Sequence, residues 1–192
     1  MKKIFVTRRL LKENEDKLKE IFEVKLNASD KIYSPSEIIE GSKDCDGLLT
    51  SVTDPIDKDT ISKLSTKIKI IANGAVGFGN IDCKAAKEKG IAVTNTPDVL
   101  TDATADIAIL LLLGASRKAY EGRIEAEREG WKWSWDFLLG KQMSNKKIGI
   151  LGMGRIGRAV AKRARGFNME IHYHNRKQLP KELEDGAIYH KD

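Results

Sequence analysis

Short apolar runs alternate with amphipathic helical patterns from the first residue onward, and no other feature narrows the possible folds as far. "KIFVT" reads as a strand and "ENEDKLKEIF" as the helix after it. "EVKL" is the next strand, followed by "SPSEIIEGS", where Ser34 can cap a helix whose first position is Pro35. The tempo continues through "DGLLT", "DPIDKDTISKL", "IKIIANG", "NIDCKAAKEKG" and "IAVTN". Strands separated by helices in this way build βαβ units, and βαβ units build a parallel sheet. The predicted class is α/β, with doubly wound parallel sheet.

The rhythm breaks at Asn95-Thr96-Pro97. Beyond it, Thr101 to about Gly130 reads as a single long helix, apolar at its start and charged at its end. The aromatic stretch "GWKWSWDFLLGKQMSNK" reads as a loop, and a second series then begins with "KKIGILG", "EIHYH" and "AIYH". The chain therefore divides into two lobes, residues 1–98 and residues 99–192. A nucleotide-binding sheet has about five or six parallel strands. The second lobe is thus expected to be only begun, truncated after its third strand, with an unfinished sheet that invites aggregation.

Several function classes are disfavoured by composition. The longest apolar run, "IAILLLLGA", is far shorter than the ~20 residues of a membrane span, and the basic start "MKKIFVTRRLL" lacks the apolar stretch of a signal peptide. The net charge is +6, yet the lysines are spread out and no basic block is interleaved with aromatics, which speaks against nucleic acid. A moderate positive field suits anionic small molecules. Cys45 and Cys83 form no C-x-x-C pair, as expected of a reduced, cytoplasmic protein.

The second series opens on a glycine fingerprint. Gly152, Gly154 and Gly157 follow one predicted strand directly and open one predicted helix, the context that gives G-x-G-x-x-G its meaning. The first glycine permits the tight turn, the second lets a pyrophosphate approach the backbone, and the third lets helix and strand pack closely. Free N–H groups at the helix start favour the phosphates. An acid at the end of the following strand would accept hydrogen bonds from a ribose 2′-hydroxyl. Here the chain has Asn175, Arg176 and Lys177. Arginine suits a 2′-phosphate, so NADP(H) is expected, with NAD(H) second. His172 and His174 share one strand face, but without a third ligand they predict no metal.

Longer segments carry a resemblance. "NGAVGFGNIDCKAAKEKGIAVTNTPDVLTDATADIAILLLLGASR" and "GWKWSW…LLGKQMSNKKIGILGMGRIGRAVAKRARGFNMEIHYHNR" are similar to the D-2-hydroxyacid dehydrogenases, over essentially the whole chain. "TPDVLTDATAD" with "YHNR" resembles the glyoxylate/hydroxypyruvate reductases within that family. The resemblance implies a flavodoxin-like substrate lobe and a Rossmann NAD(P)-binding lobe. It implies NADPH-dependent reduction of glyoxylate, hydroxypyruvate or a similar small 2-keto acid to the D-2-hydroxy acid. Val76 and Gly77 match the loop whose amides hold the substrate carboxylate. Arg155 and Ile156 match positions along the pyrophosphate, and Thr104 a hydroxyl that reaches the cofactor phosphates. Asp106 stands where the family more often has Glu. Trp131, Trp133 and Trp135 match an aromatic loop that helps form a homodimer, with Trp135 the candidate to reach the partner. The family's catalytic Arg, Glu and His lie beyond residue 192, so no catalytic residue is assigned and the chain alone is expected to be inactive. Two other readings stay open: a non-catalytic dinucleotide-sensing or partner-binding module, and a reductase of another acid.

Overall fold

Strand β3 (Gly47–Thr50) shows how a short apolar run becomes the middle of a sheet: three of its four residues are buried, as a strand covered on both faces requires. Around it, in the computed structural model, which describes residues 1–192, lie β1 (Lys3–Val6), β2 (Glu23–Lys25), β4 (Ile70–Asn73) and β5 (Ala92–Thr94). All pair in parallel, in the order β2-β1-β3-β4-β5. The order reverses between β1 and β3, and ligands of open α/β sheets sit beyond the carboxyl ends of the strands at such a switch.

The connecting helices are α1 (Lys12–Ile21), α2 (Pro35–Gly41), α3 (Lys58–Lys63) and α4 (Cys83–Glu88). Their starts follow local chemistry. Ser34 and Glu37 form a reciprocal capping box on α2. Asp57 and Asp82 accept from the Thr60 and Ala85 amides at 2.8 and 2.9 Å. At the other end of α3, Lys89 Nζ donates to the carbonyls of Ile61, Ser62 and Leu64 at 2.6–2.7 Å. Its charge meets the negative end of the helix dipole there. Ile38, Ile56, Ile61, Ile68 and Ile71 are the centre of the core.

The chain falls into two compact units, Met1–Pro97 and Asp98–Asp192. The second contains α5 (Thr101–Arg117), α6 (Ala119–Glu127), β6 (Lys147–Leu151), α7 (Arg155–Arg165), β7 (Glu170–His174), α8 (Lys181–Glu184) and β8 (Ile188–His190). Its sheet is parallel, in the order β6-β7-β8. Helix α7 turns Gly157, Ala161 and Ala164 inward, a spacing of four and three residues that forms one helical face. Met153, Ile171 and Tyr173 complete that core. Strand β6 alternates exposed and half-buried residues, so one face of this sheet is bare and Leu151 is 88% exposed.

The single long helix expected from Thr101 to about Gly130 is not formed. Lys118 adopts the left-handed conformation (φ 54°, ψ 44°) and separates α5 from α6. A distant segment accounts for the break. The Ser116 carbonyl accepts from the Lys141 amide at 2.7 Å instead of continuing the helical ladder. Gly140 lies so close that a Cβ there would come within 2.6 Å of the same oxygen. No helix is long and apolar enough to cross a membrane.

Candidate functional site

The glycine turn joins β6 to α7 with three different demands on its glycines. Gly152 sits at φ +100°, a conformation a side chain would strain. Gly157 packs against the turn itself: a Cβ there would lie 2.3 Å from the Gly152 carbonyl oxygen. Gly154 is different. It caps α7 at φ −78°, and a Cβ on it would meet nothing within 4 Å. Its bareness serves neither strain nor internal packing; it keeps space open in front of the helix start. The amides of Arg155, Ile156 and Gly157 are first-turn groups without intrahelical acceptors, and Gly154 has no side chain to offer them one.

At the end of β7, Asn175 turns inward: its Oδ1 accepts from the Met153 amide at 2.7 Å. The carbonyl of the preceding residue, His174, accepts from Gly152 N–H at 3.0 Å. Asn175 thus braces the glycine turn through its oxygen, a role beside the phosphate contact expected from the sequence. Arg176 and Lys177 are exposed, and neither is paired with a carboxylate. With Asn175 they line an open depression of about 570 Å³. Arg155, by contrast, is engaged: its Nε lies 2.6 Å from Asp98 Oδ1.

In the first unit, the loop after β4 carries Val76 and Gly77. The Val76 side is half-buried and Gly77 exposed. A Cβ on Gly77 or Gly79 would meet nothing within 4 Å, and neither has positive φ. Behind the loop, polar side chains fill the carboxyl ends of the strands. Asp54, fully buried, accepts from Thr7 Oγ1 at 2.6 Å and from the Ser51 amide at 2.7 Å. Thr50 Oγ1 donates to Asn73 Oδ1 at 3.1 Å.

Residues 4–183 match the family model of the D-isomer specific 2-hydroxyacid dehydrogenases, catalytic domain. The chain belongs to this family. It is 43% identical to a glyoxylate reductase of Korarchaeum cryptofilum, across 94% of this chain and 56% of that relative. A glyoxylate reductase of Thermococcus litoralis is 41% identical, across 97% and 58%. The crystal structure of a glyoxylate reductase from Paecilomyes thermophila superposes with a TM-score of 0.79 at 36% identity, across 98% of this chain and 60% of that one. The chain thus spans somewhat under two thirds of the relatives it matches.

Other positions of this 2-hydroxyacid dehydrogenase chain are placed less directly. Thr104 is exposed in the first turn of α5, with its hydroxyl bonded to nothing. Asp106, two residues further along α5, has a clear task. Arg163 Nε donates to its Oδ1 at 2.6 Å, while Nη2 donates to Asp102 Oδ1 at 3.1 Å. The Asp106 hydrogen bond is the main cause holding the Arg163 guanidinium charged beyond its ordinary range, and the fork ties α5 to α7. Trp131, Trp133 and Trp135 stand 51%, 63% and 88% exposed, on a segment without helix or strand. Trp133 and Trp135 meet edge to face at 4.8 Å.

His172 and His174 do share a face, where His190 joins them: His172 Nδ1 and His190 Nε2 are 2.8 Å apart. No group of three or more potential metal ligands forms. The sequence pattern does not single out Asn73, Asp102 and Arg163, nor Asn95, whose Nδ2 donates to the Val76 carbonyl at 2.8 Å. For the two asparagines a signal existed, since each sits at the carboxyl end of a strand, where open α/β sheets bind ligands. For Arg163 none did, because its partners lie 57 and 61 residues away.

Proposed function

We propose that this chain carries the cofactor cradle and the carboxylate site of an NADPH-dependent reductase of glyoxylate, hydroxypyruvate or a closely similar 2-keto acid. The observation that carries the reading is the turn from Gly152 to Gly157, which presents unpartnered α7 amides behind a bare Gly154, with two unpaired cations at the end of β7. The amides of Arg155, Ile156 and Gly157 would hold the pyrophosphate, assisted by the positive end of α7. Arg176 and Lys177, with Asn175, would hold a 2′-phosphate, while the Asn175 oxygen keeps the turn in shape. When bound, NADPH supplies the hydride. Residues 1–98 form the substrate lobe in this reading, with the Val76 and Gly77 amides taking the carboxylate, and residues 99–192 belong to the cofactor lobe. Thr104 joins the phosphate contacts. The work takes place in the cytoplasm.

Calorimetric titration of the 192-residue chain tests the cofactor assignment. NADPH is expected to bind at least tenfold more tightly than NADH, and Arg176→Asp to narrow or reverse that preference, because a planar cation that pairs with a phosphate becomes a charge that repels it. Equal selectivity in wild type and variant would refute the assignment. The curated relatives named glyoxylate reductase support the choice of keto acid.

Homodimerisation through the tryptophan segment is part of the same proposal. Large aromatics exposed together are characteristic of interface cores, and Trp135 is the most exposed of the three. Sedimentation equilibrium should show a dimer that Trp135→Ala weakens; a wild-type monomer at tens of micromolar would remove this part.

A further inference from the structure

Three successive carbonyls of the loop after β4 are each held by a different donor. Ala75 O accepts from Thr96 N–H at 2.9 Å, Val76 O from Asn95 Nδ2 at 2.8 Å, and Gly77 O from Asn73 Nδ2 at 2.9 Å. In a planar trans peptide, a carbonyl and the N–H of the following residue share one plane and point in opposite directions. Holding these carbonyls therefore holds the N–H groups of Val76, Gly77 and Phe78, none of which donates to another protein group. The backbone does not set those directions by itself, because no residue from 74 to 79 has positive φ and alternating handedness is absent. The pins decide.

The pins are themselves anchored. Asn73 is buried, receives the Thr50 hydroxyl, and shares its amide with Asn80 Oδ1 at 3.3 Å. Asn80 in turn donates to the carbonyls of Ser51 and Asp54, both at 3.0 Å. The frame thus reaches from the end of β3, through the end of β4, to the segment after β5. The loop is open to solvent, since Gly77, Phe78 and Gly79 are exposed and nothing lies within 4 Å of where a Cβ on either glycine would stand.

We propose that Asn73 and Asn95 are positioning residues that hold the Val76, Gly77 and Phe78 amides as a preset cradle for the carboxylate of the 2-keto acid. This rests on the reading that the loop binds that carboxylate. Donors fixed before the ligand arrives cost no reordering on binding, and Phe78 adds a third amide to the two assigned from the sequence.

The test is a ¹⁵N NMR titration of the 192-residue chain with glyoxylate, in wild type, Asn95→Ala, Asn95→Ser and Asn95→Gln. In wild type, the Val76, Gly77 and Phe78 cross-peaks should move together with one dissociation constant. Asn95→Ala and Asn95→Ser, which withdraw the donor from a half-buried position, should weaken binding about fivefold, the size of one neutral hydrogen bond. Asn95→Gln, which keeps a donor, should recover part of it. Without ligand, the ¹⁵N order parameter of Gly77 should fall in whichever of the shortened variants retains the wild-type dispersion. If the wild-type cross-peaks do not move, the carboxylate reading fails and this proposal with it. If they move, but the shortened variants bind as well as wild type and keep Gly77 ordered, the positioning role alone is overturned.

Discussion

Glycines that look alike in a motif separate at the scale of single residues. Gly157 is required by packing, because a Cβ would collide with the Gly152 carbonyl, whereas Gly154 is required by nothing inside the protein. Two alanine substitutions should therefore fail in different ways. Gly157→Ala forces the turn apart and is expected to cost about 1–3 kcal/mol of stability, as overpacking does, with NADPH affinity lost alongside. Gly154→Ala, at φ −78°, should leave stability unchanged within about 0.5 kcal/mol and still lower NADPH affinity at least tenfold, because its methyl group stands where a pyrophosphate would lie. Urea denaturation and calorimetry on the same samples separate the two effects. A destabilised Gly154→Ala, or one that binds normally, would contradict the division of roles. Gly157 could be read from the sequence because its conflict is local. The bracing of Met153 by Asn175 could not, because it joins residues 22 positions apart.

Elements formed where their own chemistry was sufficient, and α2 shows how such an element responds to pH. Glu37 is drawn from the usual 4.5 down to about 2, chiefly by Lys31, whose Nζ lies 2.5 Å away, and then by its capping-box partner Ser34 through amide and hydroxyl. A carboxylate with a depressed pKa in the folded state stabilises the protein above its unfolded value, and that contribution disappears as pH falls through the folded one. Wild type should therefore exceed Glu37→Gln in thermal stability at pH 6, and the difference should shrink between about pH 4.5 and pH 2. Parallel melting curves that keep a constant gap down to pH 2 would show that Glu37 acts by shape and not by charge. Caps and alternation made β1 to β5 and the intervening helices legible in advance. The break at Lys118 was hidden because no glycine or proline marks it; the cause is the Lys141 amide, brought onto Ser116 by tertiary structure. The site was legible in the same uneven way. Glycines and cations in one local motif announced themselves, while Asn73 and Asn95 act on peptide planes that only the folded loop brings to them.

For the molecule as a whole, the decisive fact is that each unit has a core of its own, one centred on Ile38, Ile56 and Ile71, the other on Met153, Ala161 and Tyr173. Chains with separate cores depart from a single all-or-none transition, so calorimetric melting should resolve two events. The proposed ligands then label them. A ligand that binds only the folded form raises stability by about 2.7 kcal/mol at a hundred times its dissociation constant, which for a unit of about 95 residues moves the midpoint on the order of 10 °C. Since every group assigned to NADPH lies in Asp98–Asp192, NADPH should lift one transition and leave the other in place. Glyoxylate, held by Val76 and Gly77 in Met1–Pro97, should lift the other one by a smaller amount, in keeping with a small ligand held by few donors. Gly154→Ala should abolish the first shift without touching the second, and Asn95→Ala should reduce the second without touching the first. One transition that moves as a block with either ligand would show that the units unfold together and that ligand responses cannot be divided between them. Two transitions with the ligands exchanged would reverse the assignment of the lobes.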